Sequence, residues 1–67
     1  MAKRFVISIW PLNDNGNLYG EEAEATCKFP WMAEHLARES AKRYNHQYAV
    51  CHDDTIVEVY DATGRVI

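Results

Sequence analysis

The side chains with the most reactive chemistry are two cysteines, Cys27 and Cys51, and three histidines. Nucleophilic catalysis requires a thiol held beside a base. Cys51 is followed directly by His52 in a predicted strand, so the two side chains point to opposite faces and cannot form a dyad. Cys27 reaches a histidine only through a tertiary contact. We expect both cysteines to be reduced thiols that pack as small apolar side chains.

The sequence also contains no recognisable motif for binding a metal ion or a phosphate group. The cysteines and histidines show no C-x-x-C or H-x-x-x-H spacing of a zinc site. The three glycines are isolated, so no glycine-rich phosphate loop is predicted. Neighbouring acids such as Glu21 and Glu22 are expected to be solvated. The sequence therefore predicts no catalytic residue, no metal site and no cofactor, and we expect the protein not to be an enzyme.

Length and charge restrict the remaining functions. The 67 residues make one domain, 1–67, with a formal net charge of −3. A chain of this size buries only about 60% of its unfolded surface, so its stability margin is small. The negative net charge argues against general nucleic-acid binding. The apolar run from Phe5 to Trp10 is too short for a signal peptide or a membrane span, and we expect a cytoplasmic protein.

The elements that must position any functional side chain follow from periodicity and turn signals. Alternation predicts strands, whereas a 3.6-residue period and flanking Pro30 and Asn45 predict one helix. The predicted strands are Arg4–Trp10, Tyr19–Phe29, Gln47–His52, Thr55–Tyr60 and a short Arg65–Ile67, and the helix is Met32–Tyr44. The fold class is α+β: a single ββαββ(β) domain with one helix packed on a mostly antiparallel sheet.

Local signals also predict turns and the buried side of the helix. The Asn-rich residues Asn13–Asn17 predict a tight hairpin turn. Asn45 is expected to end the helix in a left-handed conformation, and Gly64 to take the last, left-handed place of a turn. The helical period places Met32 and Leu36 in the buried stripe.

One helix covers only one face of a sheet, which leaves the other face for solvent, a second copy or a partner. Strand alternation places Val6, Trp10, Ile56 and Tyr60 on that uncovered face. Exposed aromatic side chains on a sheet are typical anchors of protein interfaces. Alternatively, these residues pack on one another across strands and stiffen a small sheet.

A second candidate surface lies on the helix. Trp31, His35, Arg38 and Lys42 follow an i, i+4, i+7, i+11 spacing that aligns them on the polar side, and Arg43 lies beside them. An exposed Trp beside cations is typical of a binding hot spot or a base-stacking platform. Alternatively, Trp31 folds over the sheet edge as a lid on the core.

Three classes of function fit these surfaces: a protein-binding inhibitor or adaptor, a nucleic-acid-associated module, and a homodimeric regulatory subunit. The acidic charge and the aromatic residues favour a protein partner over direct nucleic-acid binding. Salt dependence would separate the first two classes, and a solution mass would identify the third.

The segment from Glu22 to Tyr44 runs from an acidic strand into a helix that carries Arg38, Lys42 and Arg43. In this layout the chain resembles the small anti-CRISPR inhibitors encoded by phages, some of which share the strand–strand–helix–strand–strand order. The resemblance covers about a third of the chain and carries no diagnostic motif. It implies a phage protein in the host cytoplasm that occupies a surface of a CRISPR effector complex. The alternative is a homodimeric or nucleic-acid-associated small domain of a bacterium or phage.

Overall fold

The computed structural model describes residues 6–53 and 55–67. One helix packs on a four-stranded antiparallel sheet, which confirms the predicted α+β class. The elements in chain order are β1 (Ile7–Pro11), β2 (Ala25–Cys27), α1 (Pro30–Tyr44), β3 (Tyr48–His52) and β4 (Thr55–Tyr60). The first two residues of the predicted first strand, and Asp54 in the turn before β4, lie outside the described residues.

The sheet has the order β2-β1-β3-β4, with β1 in the middle between β2 and β3. Both neighbours run antiparallel to β1, so β2 and β3 are parallel to each other and α1 connects them across β1. Such a split β-α-β unit places the helix over the centre of the sheet. The face under α1 is called the covered face below, and the opposite one the open face.

The second strand is much shorter than the predicted Tyr19–Phe29. Only Ala25–Cys27 pairs with β1, opposite Ile7–Ile9. Gly20 adopts a positive φ of 98°, which breaks the extended backbone, and the glutamates and alanines that follow have low strand propensity. The alternation that predicted a long strand therefore describes mostly an irregular loop.

The loop between β1 and β2 begins at the predicted Asn-rich turn. The Asn13 carboxamide oxygen accepts hydrogen bonds from the amides of Asn15 and Asn17, and Gly16 takes a φ of 80°. An antiparallel bridge between Leu12 and Leu18 closes the turn. The turn is confirmed, but it opens into a loop rather than a tight hairpin.

Helix α1 begins at Pro30 and ends at Tyr44, followed by Asn45 in the predicted left-handed conformation at φ 52°. Its inward side consists of Ala33, Ala37 and Ala41, each with no exposed surface. Small side chains let a helix approach a sheet closely. Met32 and Leu36, predicted in the same buried stripe, are only partly buried at its margin.

The covered face forms the main core beneath these alanines. Ile7 and Ile9 of β1 pack there with Tyr48 and Val50 of β3 and with Tyr60 of β4. The two tyrosine hydroxyls reach the edge of the core, where Tyr48 donates to Glu24 and Tyr60 to Glu58. Each buried phenol therefore keeps a hydrogen-bond partner.

Strand β4 contains a β-bulge that changes which of its residues share a face. Tyr60 lies opposite Tyr48, but the register shifts between Val50 and Cys51, so that Ile56 lies opposite Cys51. A one-residue shift exchanges the two faces of a strand. Uninterrupted alternation had placed Tyr60 and Ile56 together on the uncovered face. That prediction is wrong for Tyr60, which is 1% exposed on the covered face.

The C-terminal residues return along the outer edge of β4. The predicted strand Arg65–Ile67 is reduced to a single bridge between Tyr60 and Val66, with the Ile67 amide donating to the Val59 carbonyl. The intervening turn ends at Gly64, whose φ of 88° matches the predicted left-handed position. Within the described residues, no helix is long and apolar enough to cross a membrane.

Candidate functional site

Two aromatic rings lie in solvent at the start of helix α1. Phe29 is the residue before the helix and has an extended backbone, and Pro30 begins the first turn. Trp31 then projects outward and stacks on Phe29, with ring centroids 6.0 Å apart and an interplanar angle of 14°. Phe29 is 51% exposed and Trp31 is 63% exposed. Of the two alternatives for Trp31, the structure shows the exposed one. We call Phe29 and Trp31 the aromatic pair.

The predicted row of Trp31, His35, Arg38 and Lys42 lies on the outer side of α1, with every member exposed. We call these four residues the helix stripe. Its two ends differ in chemistry, because the aromatic pair lies at the N-terminal end and the cations lie in the last two turns. Arg43 is exposed beside the cationic end. Apolar and charged groups are thus presented together along about three turns of one helix.

Two cations of the stripe are held in place by packing. The Arg38 guanidinium carbon lies 5.5 Å from the centre of the Tyr60 ring, a cation–π contact. Gly64 lies against the same side chains, because a Cβ built there would be 3.0 Å from Arg38 Cγ and 3.1 Å from Lys42 Cδ. Lys42 also pairs with Glu39 at 3.0 Å. Arg38 therefore shields the core as well as presenting charge.

Ion pairing at this end lowers the pKa of Glu39. Its carboxylate accepts a hydrogen bond from Lys42, and the lysine charge favours the ionised form. Both side chains of the pair are about half exposed, at 50% and 53%, so the pair contributes little to stability. It places the ammonium group of Lys42 beside Glu39 on the surface.

The open face is more buried by the chain's own side chains than we expected. Leu12, Ala49 and Cys51 form a second buried cluster there, against which Leu18 and Trp10 pack. The Trp10 indole N–H donates to the Ser8 hydroxyl at 3.1 Å, which holds the ring in place. Trp10 is therefore half-buried and stabilises the sheet from within the chain. For Trp10, the alternative of packing across strands describes the structure better than that of an exposed anchor.

Part of the open face still meets solvent. Ile56 is 39% exposed and Val6 is 45% exposed. A shallow depression of about 360 Å³ lies beside Trp10, between Leu18 and Asp53. The face therefore keeps some accessible apolar surface, but it has no exposed stacked rings comparable with the aromatic pair.

The reactive side chains are not gathered into a site in the described part of the chain. Cys27 is buried on the covered face, and burial raises the pKa of its thiol, which makes it a poorer nucleophile. Cys51 belongs to the open-face cluster, whereas His52 lies opposite Ile7 on the other side of the sheet. Neither cysteine forms a disulfide. Among residues 6–53 and 55–67, no three potential ligands are grouped to hold a metal ion.

Comparisons of the chain with family models, with curated proteins and with solved structures found no match. Any assignment of function therefore depends on the chemistry of the surfaces described above.

Sequence reasoning missed two residues that shape the helix surface. Phe29 was predicted to end a strand, but it precedes the helix and stacks on Trp31. Its position directly before Pro30 was a signal, because helices favour proline in the first turn and the residue before it is extended. Gly64 was predicted as a turn residue only, and its contact with two helix cations is tertiary information that local patterns do not contain.

Proposed function

We propose that this protein is a non-enzymatic binding domain that acts by occupying a surface of a protein partner. The aromatic pair is the observation that supports this most strongly. Burying one large apolar side chain stabilises a folded domain by about 1.5–3 kcal/mol. A domain of 67 residues can form only a small apolar core, yet Phe29 and Trp31 are both more than half exposed and do not contribute to it fully. A partner that covers them recovers this free energy on binding.

Inhibition is the consequence that we propose for such binding. The resemblance to anti-CRISPR proteins makes a CRISPR effector complex the first partner to test. The segment that carries the resemblance, Glu22 to Tyr44, contains β2 and α1 and therefore the whole helix stripe. Its cations, or its glutamates acting as a phosphate mimic, would occupy the surface where guide RNA or target DNA passes.

The proposal is tested by affinity capture from the organism that encodes the chain. Tagged wild type is compared with Phe29→Ala/Trp31→Ala, and with Val66→Ala as a matched control at an exposed apolar residue away from the helix. We expect a stoichiometric protein partner that wild type and control retain and that the double variant loses. Identical capture by all three proteins would show that the aromatic pair is not the anchor, and capture of no protein would contradict the proposal.

The inhibitory consequence is tested separately with purified effector complex. Target-DNA cleavage is measured with increasing amounts of wild type or of Phe29→Ala/Trp31→Ala. We expect inhibition that saturates near one protein per complex and requires the aromatic pair. Unchanged cleavage would remove the CRISPR effector as the partner while leaving the binding proposal to the capture experiment.

A second candidate function, a homodimeric regulatory subunit, is favoured by the open face. Thr26 and Ile56, which the register places on this face and which are exposed, are uncharged. An uncharged face allows two chains of net charge −3 to approach without local repulsion. A solution mass of two chains that returns to one chain in Ile56→Glu would support this candidate.

A further inference from the structure

The cations of this acidic protein are concentrated at one end of helix α1. The described residues contain five lysine and arginine side chains, and four of them lie in the last two helical turns or in the adjoining turn. These four are Arg38, Lys42, Arg43 and Arg65. The fifth is Lys28. Acidic residues such as Glu21 and Glu22 lie instead in the loop before β2. The described cations are therefore concentrated at this end of the helix, whereas acidic residues occur both here, as at Glu39, and in the loop.

The cationic end is also organised before any partner arrives. Arg38 is held between the Tyr60 ring and Gly64, and Lys42 between Gly64 and Glu39. A side chain that is already positioned loses less conformational entropy on binding. Such an arrangement favours recognition of carboxylates at defined positions over diffuse attraction of any polyanion.

Three features disfavour a nucleic-acid strand on this surface. The net charge of −3 repels a polyanion. Glu34 and Glu39 are exposed on the same helix and interrupt the row of cations. Phe29 and Trp31 stack on one another with their ring centroids 6.0 Å apart, so part of one face of each ring is not available for stacking bases. A short protein segment carries fewer negative charges than a nucleic-acid strand, so the net charge and the two glutamates repel it less, and its apolar side chain does not need a free ring face.

We infer that the helix stripe binds an acidic segment of the partner protein. Carboxylates of that segment pair with Lys42, Arg43 and the exposed part of Arg38, and an apolar side chain packs on the aromatic pair. The inference rests on the proposed function, because it names the chemistry of the partner for the same surface.

The test uses nuclear magnetic resonance titration of the isotope-labelled full chain. The probes are an amphipathic peptide of leucine and glutamate, the same peptide with lysine in place of glutamate, and single-stranded oligothymidylate. We expect the glutamate peptide to shift the amide signals of Trp31, His35 and Lys42, and to bind more weakly as salt screens the charges. Stronger binding of the lysine peptide or of oligothymidylate, shifts confined to the open face, or no shifts would overturn the inference.

A charge-neutral variant checks the residues involved. Lys42→Gln/Arg43→Gln should bind the glutamate peptide about fivefold more weakly, as expected for two exposed ion pairs. Lys28→Gln, which removes a cation outside the cationic end of the helix, should bind like wild type. Equal weakening by both variants would show a general charge effect and would contradict a defined site.

The outcomes separate this inference from the proposed function. A captured partner that needs Phe29 and Trp31 but tolerates Lys42→Gln/Arg43→Gln leaves the proposed function standing and refutes the acidic segment. Selective binding of the glutamate peptide with no captured partner supports the charge preference and contradicts the proposed function.

Discussion

The two sides of helix α1 differ from those of most surface helices in the size of their apolar side chains. The inward side has Ala33, Ala37 and Ala41, none of them exposed, whereas the outward side begins with Trp31 at 63% exposure. Surface helices usually bury their large apolar residues and expose polar ones. Here the smallest apolar side chains face the sheet, and the largest faces solvent.

This difference indicates separate physical roles for the two sides. The alanines allow close approach, so the volume of the core comes from the sheet, mainly from Ile9, Val50 and Tyr60. The outward side is free to carry aromatic and cationic groups because packing against the sheet does not require them. Arg38 is the exception, since its contact with Tyr60 connects the two sides.

The largest effect is expected from Ile9→Ala, beneath the inward side. Ile9 is 1% exposed, so truncation leaves a cavity and should lower the free energy of unfolding by about 2–5 kcal/mol. Urea denaturation followed by circular dichroism measures the loss. Ile56→Ala, at a partly exposed isoleucine on the open face, is the control and should cost clearly less. Equal costs would mean that the covered face is not the main core.

A smaller loss of stability is expected from placing a larger side chain on the inward side of α1. Ala37→Leu places extra volume where the helix lies against the sheet and should cost about 1–3 kcal/mol. His35→Leu makes a similar addition on the outward side and should change stability by less than about 0.5 kcal/mol. The same denaturation experiment compares them, and a neutral Ala37→Leu would contradict close helix–sheet contact.

Alkaline pH should weaken the core on which the inward side packs. Burial, together with hydrogen bonds to Glu24 and Glu58, raises the pKa of Tyr48 and Tyr60 to about 12 in each case. Unfolded tyrosine titrates near 10, so this contribution is fully present below about pH 10 and is lost as the pH rises through about 12. Denaturation midpoints between these values should fall with pH. The decline should be shallower in Tyr60→Phe but not in Tyr19→Phe, which changes an exposed tyrosine.

The smallest effect on stability is expected on the outward side. Trp31→Ala should change the free energy of unfolding by no more than about 0.5 kcal/mol, because the residue is 63% exposed. Trp10→Ala should cost more, since the Trp10 ring covers the second buried cluster. A large loss for Trp31→Ala would assign this ring to the core and remove the main support for a binding role.

Much of the architecture could be predicted from local signals. Pro30 and Asn45 bound the helix as their backbone preferences require. The strands β3 and β4 lie within their predicted ranges, and β1 ends one residue beyond its predicted end, at Pro11. The ends of the second strand could not be predicted, because alternating glutamate and alanine residues are compatible with several secondary structures. Only the break at Gly20 and the absence of pairing partners show that most of it is a loop.

The candidate surfaces were harder to predict than the fold. Tyr60 was assigned to the wrong face because the bulge in β4 depends on its pairing with β3, which no local pattern reveals. The helix stripe was found correctly because a helix has one fixed period. Whether Trp31 lay in solvent or over the core depended on the packing of the whole fold, which local patterns do not contain.

The most direct test of the account is the solvent accessibility of Trp31. In Trp10→Phe the only remaining tryptophan is Trp31, so its fluorescence can be measured alone after circular dichroism confirms folding. We predict red-shifted emission that acrylamide quenches almost as readily as it quenches a free tryptophan derivative. Blue-shifted emission protected from acrylamide in the monomer would show that the ring is packed within the chain, and the proposed binding surface would not exist.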